Sequence, residues 1–267
     1  MNAPEKSVDT APLVLRQDAG GVVTLTLNRG ERLNPLSQAM IAALHSQLDA
    51  VASDSSARVV VLAAAGKGFC AGHDLKEMRA HADESWQRAL FDQCAKMMLS
   101  ITRMPQPVIA RVHGIATAAG CQLVSMCDLA MASETARFAV SGVNFGLFCS
   151  TPSVGLSRNL GRKEAMEMLL TGEFIDAAAA KTRGLVNRVV PAGELDTEIG
   201  KLTASIVAKS PVAISMGKRM FYEQLEMGLD DAYALASATM ACNMMAADAQ
   251  EGVDAFLQKR APVWSGK

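Results

Sequence analysis

From Val59 to Ala65 the chain runs through seven consecutive apolar residues, opened by three valines, before it reaches Gly66. A β-branched run without polar alternation marks a strand buried on both faces, as in a parallel sheet covered by helices on each side. It is far shorter than the ~20 residues of a membrane span. Half of the 267 residues are hydrophobic and a fifth are charged, enough to bury a large core and too apolar for a disordered chain. Lysine and arginine (26) balance aspartate and glutamate (27), and aromatics make up only 4%. That pattern gives neither the basic footprint nor the stacking platform of a nucleic-acid binder, and no pull toward an anionic membrane.

Around this run the chain alternates between strand and helix signals. Residues 1–12 read as a flexible tail. Val14 to Arg16 and Val22 to Leu27 read as strands about the turn Asp18-Ala19-Gly20-Gly21. Ser37 is the N-cap candidate for a helix over Gln38 to Val51, with Met40, Leu44 and Leu48 at helical spacing. Glu84 to Arg103 reads as helix until Pro105 and Pro107 break it, and Val108 to Val112 is a second buried strand. Leu129 to Ala132 and Arg137 to Val140 are short strand candidates. After Val186 to Val190 the pattern changes: Leu195 to Lys259 reads as three or four helices, one opened by Pro211. The chain is therefore expected to be α/β over residues 13–192, with a helical C-terminal subdomain over 193–267. The six cysteines form no CxxC pair, and Met1 to Leu13 has no apolar core of a signal peptide. Both observations predict a reducing, cytoplasmic setting.

Common catalytic signatures are absent. No GxGxxG follows a strand, and there is neither a Walker A motif nor HExxH. Thr151-Pro152-Ser153-Val154-Gly155 lacks the first glycine of a nucleophile elbow, and all four histidines (45, 73, 81, 113) precede Ser153.

Two loops carry the positive signal. Gly66-Lys67-Gly68-Phe69-Cys70-Ala71-Gly72-His73-Asp74-Leu75 follows the buried strand, and Asp74 can cap a short helix from Leu75. Val112-His113-Gly114-Ile115-Ala116-Thr117-Ala118-Ala119-Gly120-Cys121-Gln122-Leu123 likewise passes from strand through small residues into a helix. Each offers backbone N–H groups at a helix start, a setting suited to developing negative charge.

In order and surroundings these loops resemble those of the enoyl-CoA hydratase/isomerase (crotonase) superfamily. The likeness extends to Leu27-Asn28-Arg29, Leu33-Asn34-Pro35-Leu36, Met126-Cys127-Asp128-Leu129-Ala130, Ala136-Arg137-Phe138, and the stretches 170–177 and 184–191. It spans nearly the whole chain. The glutamine form of the second loop, with Gly146-Leu147-Phe148-Cys149-Ser150-Thr151-Pro152 downstream, is most similar to the branch named enoyl-CoA hydratase domain-containing protein 3. The resemblance implies a crotonase-like fold, a spiral of repeated ββα turns, assembled through the C-terminal helices as a homotrimer or a hexamer. It implies an acyl-CoA thioester ligand, with coenzyme A carried as part of the substrate and neither a further cofactor nor a metal. By position, the backbone donors to the thioester oxygen fall on His73 and Ala119. Arg32, Leu33, Ala71, Asp74, Leu75, Lys76 and Lys259 fall on the coenzyme A side. For Arg32, Lys76 and Lys259 the competing reading is solvated surface charge, and for Asp74 and Asp128 it is a structural carboxylate.

The chain departs from the hydratase pattern at two positions. Where the family has its two catalytic glutamates, this chain has Gln122 and Gly142. Adding water across a C=C bond needs a base for the water and an acid for the α-carbon, and an amide supplies neither at neutral pH. Loss of one such group costs about 10²–10⁴ in rate. Gln122 is expected in the pocket as a binding group. The His73 ring and the Cys149 thiol are the candidates for substitute chemistry, each with packing as its alternative role. The expected function is an enoyl-CoA hydratase-like enzyme of fatty-acid and acyl-CoA metabolism that polarises the thioester carbonyl in a backbone oxyanion hole. A non-catalytic acyl-CoA binder, a thioester hydrolase and a decarboxylase are the alternatives.

Overall fold

The computed structural model describes residues 11–267. The tail expected over residues 1–12 lies outside the described residues up to residue 10. Pro12 is tied down, its carbonyl accepting from Asn28 Nδ2 at 2.9 Å. Strands β1 (Val14–Ala19) and β2 (Val22–Leu27) form an antiparallel hairpin with Val14 opposite Leu27 and Ala19 opposite Val22. Helix α1 (Gln38–Ala52) begins where Ser37 Oγ accepts from Met40 N, and it buries Met40, Ile41, Leu44, Leu48 and Val51. The apolar run becomes β3 (Val59–Ala64), followed by α2 (Leu75–Ala80) and α3 (Glu84–Arg103). Then come β4 (Val108–Val112), β5 (Ile115–Thr117), α4 (Ala119–Met126), β6 (Leu129–Ser133) and β7 (Arg137–Ala139).

Three helices between residues 141 and 185 are not anticipated by the sequence: α5 (Ser150–Leu156), α6 (Arg162–Thr171) and α7 (Ala177–Thr182). They are short, and α5 contains Pro152 and Gly155, so little helical periodicity marks them. Between them β8 (Ile175–Asp176) joins a small sheet in the order β5-β7-β8. Strand β9 (Arg188–Val190) closes the main sheet, whose order is β1-β2-β3-β4-β6-β9, parallel throughout except for the hairpin. Four helices end the chain: α8 (Leu195–Val207), α9 (Pro211–Gln224), α10 (Leu229–Met244) and α11 (Ala247–Leu257).

All six residues of β3 are buried, and their alternation divides the core in two. Val60, Leu62 and Ala64 join the large cluster with residues of α1 and α3. Val59 and Val61 face the other way, onto Ile109, Met131 and the α8 residues Leu195 and Ile199. The first helix beyond residue 193 thus serves the sheet directly. Helix α9 is pinned by a buried network: Asp128 Oδ2 accepts from Lys218 Nζ (2.7 Å) and Val108 N (2.6 Å), and Oδ1 accepts from Tyr222 OH (2.8 Å). Lys218 also donates to the carbonyls of Ile101 and Gln106. Asp128 is therefore structural. Among the described residues no helix is long and apolar enough to cross a membrane.

Candidate active site

The first loop is organised by Asn34, within the Leu33-Asn34-Pro35-Leu36 stretch. Asn34 is fully buried, with Nδ2 donating to the carbonyls of Ala65, Gly68 and Phe69 and Oδ1 accepting from Arg29 N. Its place in the Asn34-Pro35 pair, which favours a turn, is the local signal in the sequence, and in the structure its φ is 51°. Downstream, Leu36 N donates to Gly72 O and Asp74 N to Leu36 O, so His73 sits between the bonded residues with its own N–H outside the pair. Asp74 then caps α2 through Lys76 N (3.0 Å) and Glu77 N (3.3 Å), and pairs with Arg32 at 2.7 Å.

The second loop is laced to the first. Phe69 and Cys70 N–H groups donate to Ile115 O, and Thr117 N donates to Cys70 O. Ala118 N is spent on Ala139 O, and Ala119 opens α4, where the first-turn N–H groups have no partner within the helix. Gly72 brings the loops together. Its φ is +89°, and a Cβ there would lie 2.9 Å from Ala118 Cβ and 3.2 Å from Ala119 N. The peptide preceding His73 and the start of α4 are therefore in contact.

A cavity of about 260 Å³ opens at this junction. Ala71, His73, Leu75, Ala119 and Gly142 line it, together with Met78, Phe91 and the segment Leu147 to Pro152. Arg32, Leu33, Asp74, Lys76 and Lys259 are not in its wall, and Arg32 is engaged with Asp74. Gln122, expected in the pocket, is not in the wall either. It lies a turn along α4, 4% exposed, with Oε1 buried and unpartnered. Gly142 does reach the cavity, yet a side chain there has no room: a Cβ would fall 2.4 Å from Leu147 O and 2.7 Å from Cys149 Sγ. The 147–149 segment fills the space that a second carboxylate would need.

Among the described residues no aspartate or glutamate lines the cavity, and no group of three metal-ligating side chains occurs. His73 packs edge-on against Phe91, and burial lowers its pKa to about 4, so the ring is neutral at pH 7. Cys149 accepts from Gly142 N at 3.3 Å, and burial pushes its thiol up. His113 bonds Gly66 O at 2.9 Å, a structural contact at the end of β4. Ser153 Oγ donates to Ser150 O within α5.

Two laced strand-to-helix loops at a cavity, beneath a covered parallel sheet, define an α/β protein of crotonase fold. The family model for enoyl-CoA hydratase/isomerase matches residues 17–267, and the chain belongs to that family, whose members bind acyl-CoA thioesters. It is 44% identical over 254 residues to enoyl-CoA hydratase domain-containing protein 3, mitochondrial, of Xenopus laevis, covering 95% of this chain and 86% of the relative. An enoyl-CoA hydratase structure from Mycobacterium smegmatis superimposes with a TM-score of 0.94 at 61% identity, covering 95% of this chain and 99% of that one. The human enoyl-CoA hydratase domain-containing protein 3 gives 0.92 at 44%, covering 94% and 100%. These relatives correct the cytoplasmic expectation: the frog, rat, human and mouse proteins are named mitochondrial. Free thiols report a reducing chemistry and carry no address, which is why they misled.

Proposed function

We propose that this chain binds an acyl-CoA thioester with its carbonyl oxygen between the backbone N–H groups of His73 and Ala119, and that it acts as an enoyl-CoA hydratase-like enzyme of acyl-CoA metabolism. The observation that supports this is the contact of Gly72 with the start of α4, which brings together His73 and Ala119, both residues of the cavity wall. Donors of this kind stabilise a developing oxyanion by about 2.7–4 kcal/mol each in acyl transfer. The apolar walls suit a hydrocarbon acyl group. Among the described residues no carboxylate lines the cavity, which supports a chemistry other than water addition between two glutamates.

A second reading, a non-catalytic acyl-CoA binder, is favoured by that same missing carboxylate pair. Thioester hydrolysis and decarboxylation also need only polarisation of the carbonyl, with little further machinery. Exposed apolar side chains on α9 to α11, among them Phe221, Leu229, Tyr233 and Phe256, support assembly into a homotrimer or hexamer. The deciding experiment combines calorimetry with a saturated acyl-CoA and the enoyl-thioester absorbance of crotonyl-CoA. Binding with turnover supports the enzyme. Binding alone supports the second reading, and no binding overturns both.

A further inference from the structure

Among the described residues, two titratable side chains line the cavity, His73 and Cys149. The thiol is held against Gly142 N and is buried, so it stays protonated at neutral pH. The nearby Ser141 hydroxyl is engaged with Thr117 Oγ1 at 2.9 Å. The imidazole differs from both. It is clamped edge-on by Phe91, ring centroids 5.4 Å apart at 86°, and its Nε2 is buried with no hydrogen-bond partner. Buried polar atoms without partners are uncommon and call for a functional explanation.

Connectivity supplies one. The ring begins three bonds from the His73 amide nitrogen, and the α-carbon of a thioester is two bonds from its carbonyl oxygen. An oxygen held by the His73 N–H therefore ties the α-carbon to the residue that also carries the imidazole. We propose that the His73 imidazole is the base that removes and returns the α-proton of the bound acyl thioester. This rests on the acyl-CoA reading above. A ring-nitrogen lone pair takes the α-proton, the C–H electron pair becomes the carbon–carbon π bond, and the carbonyl π pair moves to oxygen. The enolate oxygen is held by the His73 and Ala119 N–H groups, with the imidazolium beside it. Reversal returns a proton to carbon, so no oxidant or co-reactant is consumed. The residue occupies no position at which the family's glutamates stand, and it works without them.

Butyryl-CoA in D2O tests this, with α-proton exchange followed by NMR and binding by calorimetry on the full chain. Wild type is expected to exchange the α-protons faster than buffer alone. His73→Asn, and His73→Phe, which keeps a ring against Phe91, are expected to lose at least about 10²-fold in exchange while still binding. Exchange that persists in the folded variants overturns the proposal, as does a wild type that binds butyryl-CoA without exchanging. Wild type that fails to bind overturns the acyl-CoA reading itself, and the proposal with it.

Discussion

The carbonyl oxygen of Leu147 lies 2.4 Å from where a Cβ on Gly142 would stand. The contact is with backbone, so no rotamer change relieves it. The double variant Gln122→Glu with Gly142→Glu is therefore expected to gain no hydratase activity. Gly142→Glu is expected to lower stability by at least ~1–3 kcal/mol through overpacking. Gln122→Glu is isosteric but buries a carboxyl where the amide oxygen already has no partner, and is expected to cost about 1–3 kcal/mol. Crotonyl-CoA turnover and urea unfolding of both single variants and the double check this, and hydration appearing in the double variant would contradict it.

Ala118 stands at φ 50°, ψ −120°, a conformation that an L side chain rarely adopts. Such strain is worth about 1–3 kcal/mol, set against the ~0.5–1 kcal/mol that a glycine loses in unfolded-chain entropy. Ala118→Gly is expected to stabilise the protein by about 1 kcal/mol, read as a higher urea midpoint at unchanged slope. Gly72→Ala is expected to do the reverse and to weaken acyl-CoA binding, because its methyl would separate the loops.

Stability should depend on pH through His73. Burial holds its folded-state pKa near 4 against an ordinary 6.5, so the unfolded chain binds more protons between those values. The His73 contribution is then level above about pH 6.5, falls as pH drops, and levels off near pH 4 after a loss on the order of 3 kcal/mol. Subtracting the pH profile of His73→Phe from that of wild type isolates this window from the acid sensitivity of the carboxylates. A flat difference between pH 4 and 6.5 would rule it out.

Lys218 and Asp128 form a buried pair with every donor and acceptor engaged. Lys218→Met leaves the carboxylate without its cation and is expected to cost about 3–5 kcal/mol. Pairing it with Asp128→Asn should recover part of that loss. A double-mutant cycle by chemical denaturation measures the coupling, and additive losses would refute it.

Much of this molecule was legible in local signals. Val59 to Ala64 reads as doubly buried because no polar residue interrupts it, and it is. The caps Ser37 and Asp74 were readable because a side-chain oxygen two or three residues before free N–H groups is a local arrangement. The helices from α5 to α7 were not readable, being too short to show a period. The role of Asn34 is not legible locally, because its three carbonyl partners lie 31 to 35 residues downstream.

By itself the sequence determined the fold, the two glycine-rich loops, and that Gln122 and Gly142 stand where the resemblance implies two glutamates. These depend on residue order and local backbone preference, which a chain carries without its neighbours. Tertiary structure decided the rest: that Gln122 stands behind the cavity wall, that Leu147 and Cys149 close the space beside Gly142, and that the His73 ring is half-buried and neutral. Each is a matter of which atoms, distant in the chain, compete for the same few ångströms, and close packing settles that only once the loops have come together.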